Sequence, residues 1–176
     1  ICAGLIAMKM GLNVNNFIAA TNINDTIPRY LKTGEYSPNK TIRTISNAMD
    51  VSNPNNFPRI EHIFDNNFQA LKNKICAVKV NEEETKNQKK KTFHDSEYIL
   101  DPHGAVGLVG LKRYNLKNET GIFFETAHPI KFKDSITEIL DVNIDDPLKQ
   151  TNESGSHKIA LKNNYSDFTE FIKQSQ

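Results

Sequence analysis

The stretch "FIAATNINDTIPRYLKTG", Phe17–Gly34, decides the fold. Its opening, "FIAAT", has the length of a buried strand, and the turn-forming cluster "NIND" stops it. Asn24 or Asp25 then stands where a helix cap is expected, and "TIPRYLKTG" reads as a helix closed by Gly34. The same order recurs downstream. "ICAVKV", Ile75–Val80, is a second strand candidate and runs into "NEEETKNQKKKTFHDS". There Asn81 caps a helix, three glutamates sit at its positive end, and lysines lie towards its negative end. That charge order makes Lys89–Lys91 a solvated face, not a nucleic-acid patch.

Working outward, Ile1–Met10 reads as a helix with Ile1, Leu5 and Met8 at helical spacing, joined by Ala3 and Ile6, and closed by Gly11. Ser52 or Asn53 caps a helix with Pro54 in its first turn, running through "NNFPRIEHIFDNNF". Phe57, Ile60, Ile63, Phe64 and Phe68 repeat at three- and four-residue spacing along it, as core residues do. In "DPHGAVGLVGLKRYNL", Asp101 is an N-cap with Pro102 in the first helical position. Gly104, Gly107 and Gly110 each lower helicity by roughly 1 kcal/mol relative to alanine. A helix so composed belongs where it lies very close to another element. "GIFFETA", Gly121–Ala127, is a third strand, and a helix over Lys133–Leu140 follows the His-Pro break. Residues 141–176 read as a linker, "DVNIDDPLKQTNESGSH", and a short helical tail in "NNYSDFTEFIKQSQ". Strands alternating with longer helices predict an α/β fold: three layers, a mainly parallel sheet flanked by helices, over residues 1–140.

At 176 residues and 20.0 kDa the chain is long enough for one real core. Its mean hydropathy of −0.55 is polar yet globular. A net charge of +1 argues against electrostatic capture of nucleic acid. No apolar run approaches the roughly 20 residues that span a bilayer. Cys2 and Cys76 are far apart and read as reduced thiols, which with the lack of a signal-peptide pattern suggests a cytoplasmic protein. The histidines are scattered and Asp145–Asp146 lack partners, so no metal site is expected. His103 and His128, each beside a proline, suit capping or packing better than acid–base work.

In parallel sheets, ligands sit outside the carboxyl ends of strands. That rule selects two places, "TNIND" after the first strand and "TAHP" after the third. Both suit hydrogen bonding to a ligand and equally suit plain turns.

Taken together, "ICAGLIAMKMGL", "FIAATNINDTIPRYLKTGEYSP", "SNAMDVSNPNNFPR", "YILDPHGAVG" and "TAHPIKF" resemble threonine synthase, in the family's order, from Ile1 to roughly Leu140. The resemblance covers the C-terminal part of such an enzyme. It implies the large domain of a fold type II enzyme with pyridoxal 5'-phosphate as cofactor. The implied reaction turns O-phospho-L-homoserine and water into L-threonine and phosphate, in a monomer or homodimer. Thr126 of "TAHP" takes the role of the hydroxyl that contacts the cofactor's pyridine nitrogen. Asn22 and Asn24 remain candidate substrate contacts, whereas Asp25 would repel a phosphate and is read as a helix cap. Ile23 stands where the family often has alanine. The family's phosphate-cradling Ser-Gly-Asn-Phe-Gly-Asn loop comes just before the helix matching Ile1–Met10. Its Schiff-base lysine lies further upstream, in a Phe-Lys-Asp motif. Phe132–Lys133–Asp134 repeats those letters after "TAHP", where the family has an ordinary helix start. No catalytic residue is therefore assigned, and the chain alone is expected to be inactive. Two readings stay open beside this one: another fold type II lyase (a dehydratase or phospholyase), and a non-catalytic α/β binding module.

Overall fold

The computed structural model describes residues 1–114, 116, 118–144 and 159–174. They fall into two compact units, Ile1–Ile144 and Asp145–Gln176.

In the first unit, β1 (Phe17–Thr21) and β2 (Ile75–Lys79) pair in parallel, in register from Phe17 opposite Ile75 to Thr21 opposite Lys79. The Val80 N–H extends the ladder to the Thr21 carbonyl at 2.9 Å. Alternate strand residues point to opposite faces, and each face meets helices. Phe17, Ala19, Ile75 and Ala77 join a core with Leu5, Tyr30, Leu31, Phe57 and Leu71. These residues come from α1 (Cys2–Lys9), α2 (Thr26–Thr33), α3 (Phe57–Ile63) and α4 (Phe68–Lys74). Tyr36 stacks on Phe57 with ring centroids 4.7 Å apart, and Tyr30 meets Phe57 and Phe68 edge-on. On the opposite face lies α6 (Pro102–Arg113). A Cβ at Gly110 would stand 2.7 Å from the Ala20 Cβ and 3.1 Å from Val78. The glycine-rich composition is thus the close approach of α6 to the sheet.

Several helix ends match their sequence signals. Gly34 takes a left-handed φ of 79° to close α2, and Asp101 accepts from the His103 and Gly104 N–H groups. α5 (Glu82–Ser96) opens with a reciprocal Asn81–Glu84 capping box. Other expectations need correction. The helix expected through residues 54–68 breaks into α3 and α4, because Asp65 and Asn66 adopt left-handed φ angles of 52° and 57°. Asn67 then caps α4, accepting from the Ala70 N–H. Asn56, not Ser52 or Asn53, precedes α3. Asp25 occupies the cap position of α2 without a capping bond, since its carboxylate pairs with Arg29 and Lys79, each at 3.0 Å. In α1 only Leu5 of the expected stripe is fully buried; Ile1 and Ile6 are exposed. Lys89 is not on a solvated face but wholly buried.

The third strand is also corrected. Residues 121–126 form no ladder among the described residues. They lie along α6, with the Phe123 side chain near Gly107 and the Glu125 carboxyl against Gly104. Side chains still alternate as in a strand, with Ile122, Phe124 and Thr126 exposed. A 3-10 turn, Pro129–Phe132, leads into α7 (Lys133–Leu140), whose Ile136 and Ile139 are buried. In the second unit the described element is α8 (Tyr165–Gln174); most of the expected linker lies outside the described residues. No helix among the described residues is long and apolar enough to cross a membrane.

Candidate functional site

Both turns selected by the strand-end rule lie in the first unit, and their polar groups are used differently. At the end of β1, Asn22 and Asn24 are 2% and 7% exposed, so their amides face inward. The Asn22 side-chain nitrogen donates to Thr44 Oγ1 at 2.9 Å and Asp50 Oδ1 at 2.8 Å, while its oxygen accepts from the Asn24 N–H. Asn24 donates to the Ile42 carbonyl and accepts from the Ile42 N–H and Ser52 hydroxyl. Asp50 in turn accepts from the Thr44 N–H and hydroxyl. The two asparagines therefore hold the loop of residues 41–52, and their amides are spent inside the protein.

The second turn is open. Thr126 is exposed at the end of the extended segment, with no hydrogen bond among the described residues. His128 begins the following 3-10 turn, its Nδ1 accepting from the Ile130 N–H at 3.2 Å. Beyond it, Ile130–Ser135 form one wall of an open cleft of about 310 Å³, and Thr44, Ile45 and Asn47 form the other. Lys133 lines this cleft as the first residue of α7. His103 ties the two walls. Its Nε2 accepts from the Ala48 N–H at 3.0 Å, so Nδ1 carries the proton and donates to Asp101 Oδ1 at 3.0 Å. Its ring packs 5.0 Å from that of Phe132. Both ring nitrogens are therefore engaged within the protein.

Behind the turn lies a buried charged cluster that the sequence did not reveal. Lys89 from α5 donates to the Leu100 carbonyl at 2.5 Å. Burial pulls its pKa down to about 8 against the attraction of Asp101 and Glu125. Asp101, fully buried at the entrance of α6, gives its backbone N–H to Glu125 Oε1 at 2.9 Å. Burial opposes the Asp101 charge, but hydrogen bonds from His103, Glu125 and the Gly104 and His103 N–H groups outweigh it and hold its pKa far down. Glu125 is pushed up, first by burial and then by its hydrogen bond and charge repulsion with Asp101. On α5 the buried Thr85, Gln88 and Lys89 follow helical spacing; being polar, they leave no hydropathy signal. Among the described residues no group of acidic, histidine and cysteine side chains is arranged to hold a metal ion.

No family model matches the chain. It is 46% identical over 151 residues to threonine synthase of Buchnera aphidicola subsp. Baizongia pistaciae, a match spanning 86% of this chain and 35% of the relative. The crystal structure of threonine synthase from Escherichia coli superposes with a TM-score of 0.79 at 38% identity, covering 99% of this chain and 41% of that one. The threonine synthase of Brucella melitensis, solved with PLP bound, has the same TM-score at 24% identity and shares the fold, over 98% of this chain and 43% of its own. The chain thus spans 35% of the length of the first curated relative it matches.

Proposed function

The chain belongs to the threonine synthase family, and on that footing we propose that it forms the C-terminal part of an enzyme converting O-phospho-L-homoserine and water to L-threonine and phosphate. The observation that carries this reading is the agreement of sequence and fold with the Escherichia coli enzyme over 99% of the chain. The cofactor would be pyridoxal 5'-phosphate, the compartment cytoplasmic, and the assembly a monomer or homodimer. Residues 1–140 would belong to the cofactor-binding domain, and 141–176 would form a linker and tail.

The residues at the "TAHP" turn fit such a cofactor. Thr126 presents a neutral hydroxyl with no competing partner among the described residues. It can donate to a pyridine nitrogen without supplying the charge that would protonate it. The exposed side of 121–126 carries that hydroxyl, while Phe123 and Glu125 anchor the other side to α6. By the family resemblance, the N-terminus of α1 would face the cofactor phosphate, where its N–H groups favour an anion. When bound, the cofactor draws electrons from the substrate so that the γ-phosphate can leave. Asn22 and Asn24 would act on substrate only through the loop they hold, because their amides are already engaged. Lys133 has no part in this scheme beyond lining the cleft.

The test is made on the complete enzyme that carries this chain, assayed for threonine and phosphate from O-phospho-L-homoserine. Ketobutyrate as the sole organic product would replace hydration by elimination. Thr126→Val, which removes the hydroxyl at similar volume, is expected to weaken cofactor binding by about five- to tenfold. Thr126→Ser should restore most of it. Equal binding by the wild type and the valine variant would remove Thr126 from the cofactor site.

A further inference from the structure

We propose that Asp101 and Glu125 share one proton, and that this buried carboxyl–carboxylate pair is the lock that positions Thr126. The inference rests on the reading of Thr126 given above and adds the residues that hold it in place. Its geometry begins with two orphaned atoms. Asp101 Oδ2 and Glu125 Oε2 are both buried without a hydrogen-bond partner, and both carboxyls sit at the entrance of α6: Glu125 Oε1 accepts the Asp101 N–H at 2.9 Å and its carboxyl lies against Gly104, whose N–H goes to Asp101. Their other oxygens are occupied. Asp101 Oδ1 takes the His103 N–H at 2.6 Å, the Gly104 N–H at 3.1 Å and the His103 ring, while Glu125 Oε1 takes the Asp101 N–H. One proton on Glu125 Oε2, donated to Asp101 Oδ2, satisfies both orphans at once. Two bare carboxylates in the same hole would leave both unsatisfied and repelling each other.

The proton belongs on Glu125 because Asp101 already receives backbone and imidazole donors that favour its charged form. Burial and the neighbouring Asp101 raise the Glu125 pKa, and they outweigh the Asp101 N–H and the Tyr98 hydroxyl, which favour its charged form. The charged and titratable groups facing the pair are Lys89 from α5, Tyr98 from the α5–α6 connection, and His103 from α6. Lys89 balances the single remaining negative charge and also pins Leu100, the residue before Asp101. Gly104 makes the arrangement possible, since a Cβ there would collide with the Glu125 carboxyl.

Glu125 immediately precedes Thr126 and points to the opposite side of the segment. Fixing the glutamate on the entrance of α6 therefore fixes where the threonine hydroxyl faces. Glu125 is a positioning residue; it does not touch the cofactor in this scheme. As pH rises through the elevated Glu125 pKa, the shared proton is lost, the carboxylates repel, and the segment end loosens. The lock is complete below that pKa and fails above it.

The experiment uses the complete enzyme with carboxyl carbon-13 labelling, Glu125 being assigned through its own backbone amide. Its carboxyl is expected to titrate well above the value of about 4.3 of a free glutamate, with Asp101 ionised throughout. In parallel, cofactor dissociation constants are measured between about pH 6 and pH 9. The wild type is expected to lose about five- to tenfold in affinity across the Glu125 titration. Glu125→Gln keeps a donor but cannot ionise, so its profile should lack that step. Glu125→Ala should be weak across the range. A Glu125 carboxyl that titrates near the free value overturns the shared proton, whatever the variants do. A glutamine profile retaining the wild-type step overturns the positioning role. Absence of cofactor binding by the wild type at every pH would instead defeat the Thr126 reading, leaving the carboxyl titration to decide the proton.

Discussion

Asn22 shows how a residue at a ligand-binding address can be occupied by its own protein. Its amide joins Thr44 and Asp50 to the end of β1, and Asn24 repeats the arrangement with Ile42 and Ser52. Asn22→Ala would leave the half-buried Asp50 and the buried Asn24 short of partners, at a cost of about 1–3 kcal/mol. Urea denaturation of the complete enzyme should show the loss, with limited proteolysis finding new cleavage between residues 41 and 52. A full loss of stability without loop cleavage would mean that the asparagine supports the sheet directly. The sequence put Asn22 and Asn24 at the right end of the strand. It was silent on their partners, because an amide beside a turn looks the same whether a ligand or a loop some 20 residues onward receives it. Lys89 was hidden for a related reason. Its neighbours Glu82–Glu84 and Lys90–Lys91 fit a solvated helix, and only the fold brings Leu100 and Asp101 over it.

At the scale of elements, α6 separates two kinds of helical glycine. Gly110 lies so near Ala20 and Val78 that a methyl group would force the helix off the sheet. Gly110→Ala should therefore destabilise by about 1–3 kcal/mol, despite alanine's better helix propensity. Gly107 has Phe123 Cβ at 3.7 Å from the position a methyl would take, an ordinary contact. Gly107→Ala should gain up to about 1 kcal/mol. Thermal midpoints of the two variants are expected to move in opposite directions. If both rise, α6 does not pack against β1 and β2 as described. β1 and β2, the Asn81 cap of α5 and the Asp101 cap of α6 were legible because their signals are local: a few residues and the bonds they make with one another. The break between α3 and α4 was not. The Phe57–Phe68 spacing reads as one helix, whereas the left-handed turn at Asp65–Asn66 resets the phase and still brings Phe57 and Phe68 against Tyr30.

For the molecule as a whole, segment 121–126 ties the α/β reading to solution behaviour. Its period-2 alternation predicted a strand, and the alternation is real, but ladder formation needs a neighbouring backbone at the right distance and no signal within the segment supplies one. What it has instead is α6 on one side and exposed apolar side chains on the other: Ile122 is 71% exposed and Phe124 79%. Apolar area of this kind drives association when nothing covers it, and an unpaired extended backbone invites pairing with a second copy. The 176-residue chain expressed by itself should therefore self-associate at micromolar concentration, as read by light scattering across a dilution series. Ile122→Ser with Phe124→Ser removes the apolar side chains while leaving Phe123 and Glu125 on α6. The double variant should shift the association midpoint to about tenfold higher concentration or more, since each exposed side chain contributes on the order of 1–2 kcal/mol when covered. The circular dichroism of the two proteins should coincide, because the substituted side chains contribute little to the fold. A wild-type chain that remains monomeric throughout the series would mean that this row is covered from within the same polypeptide.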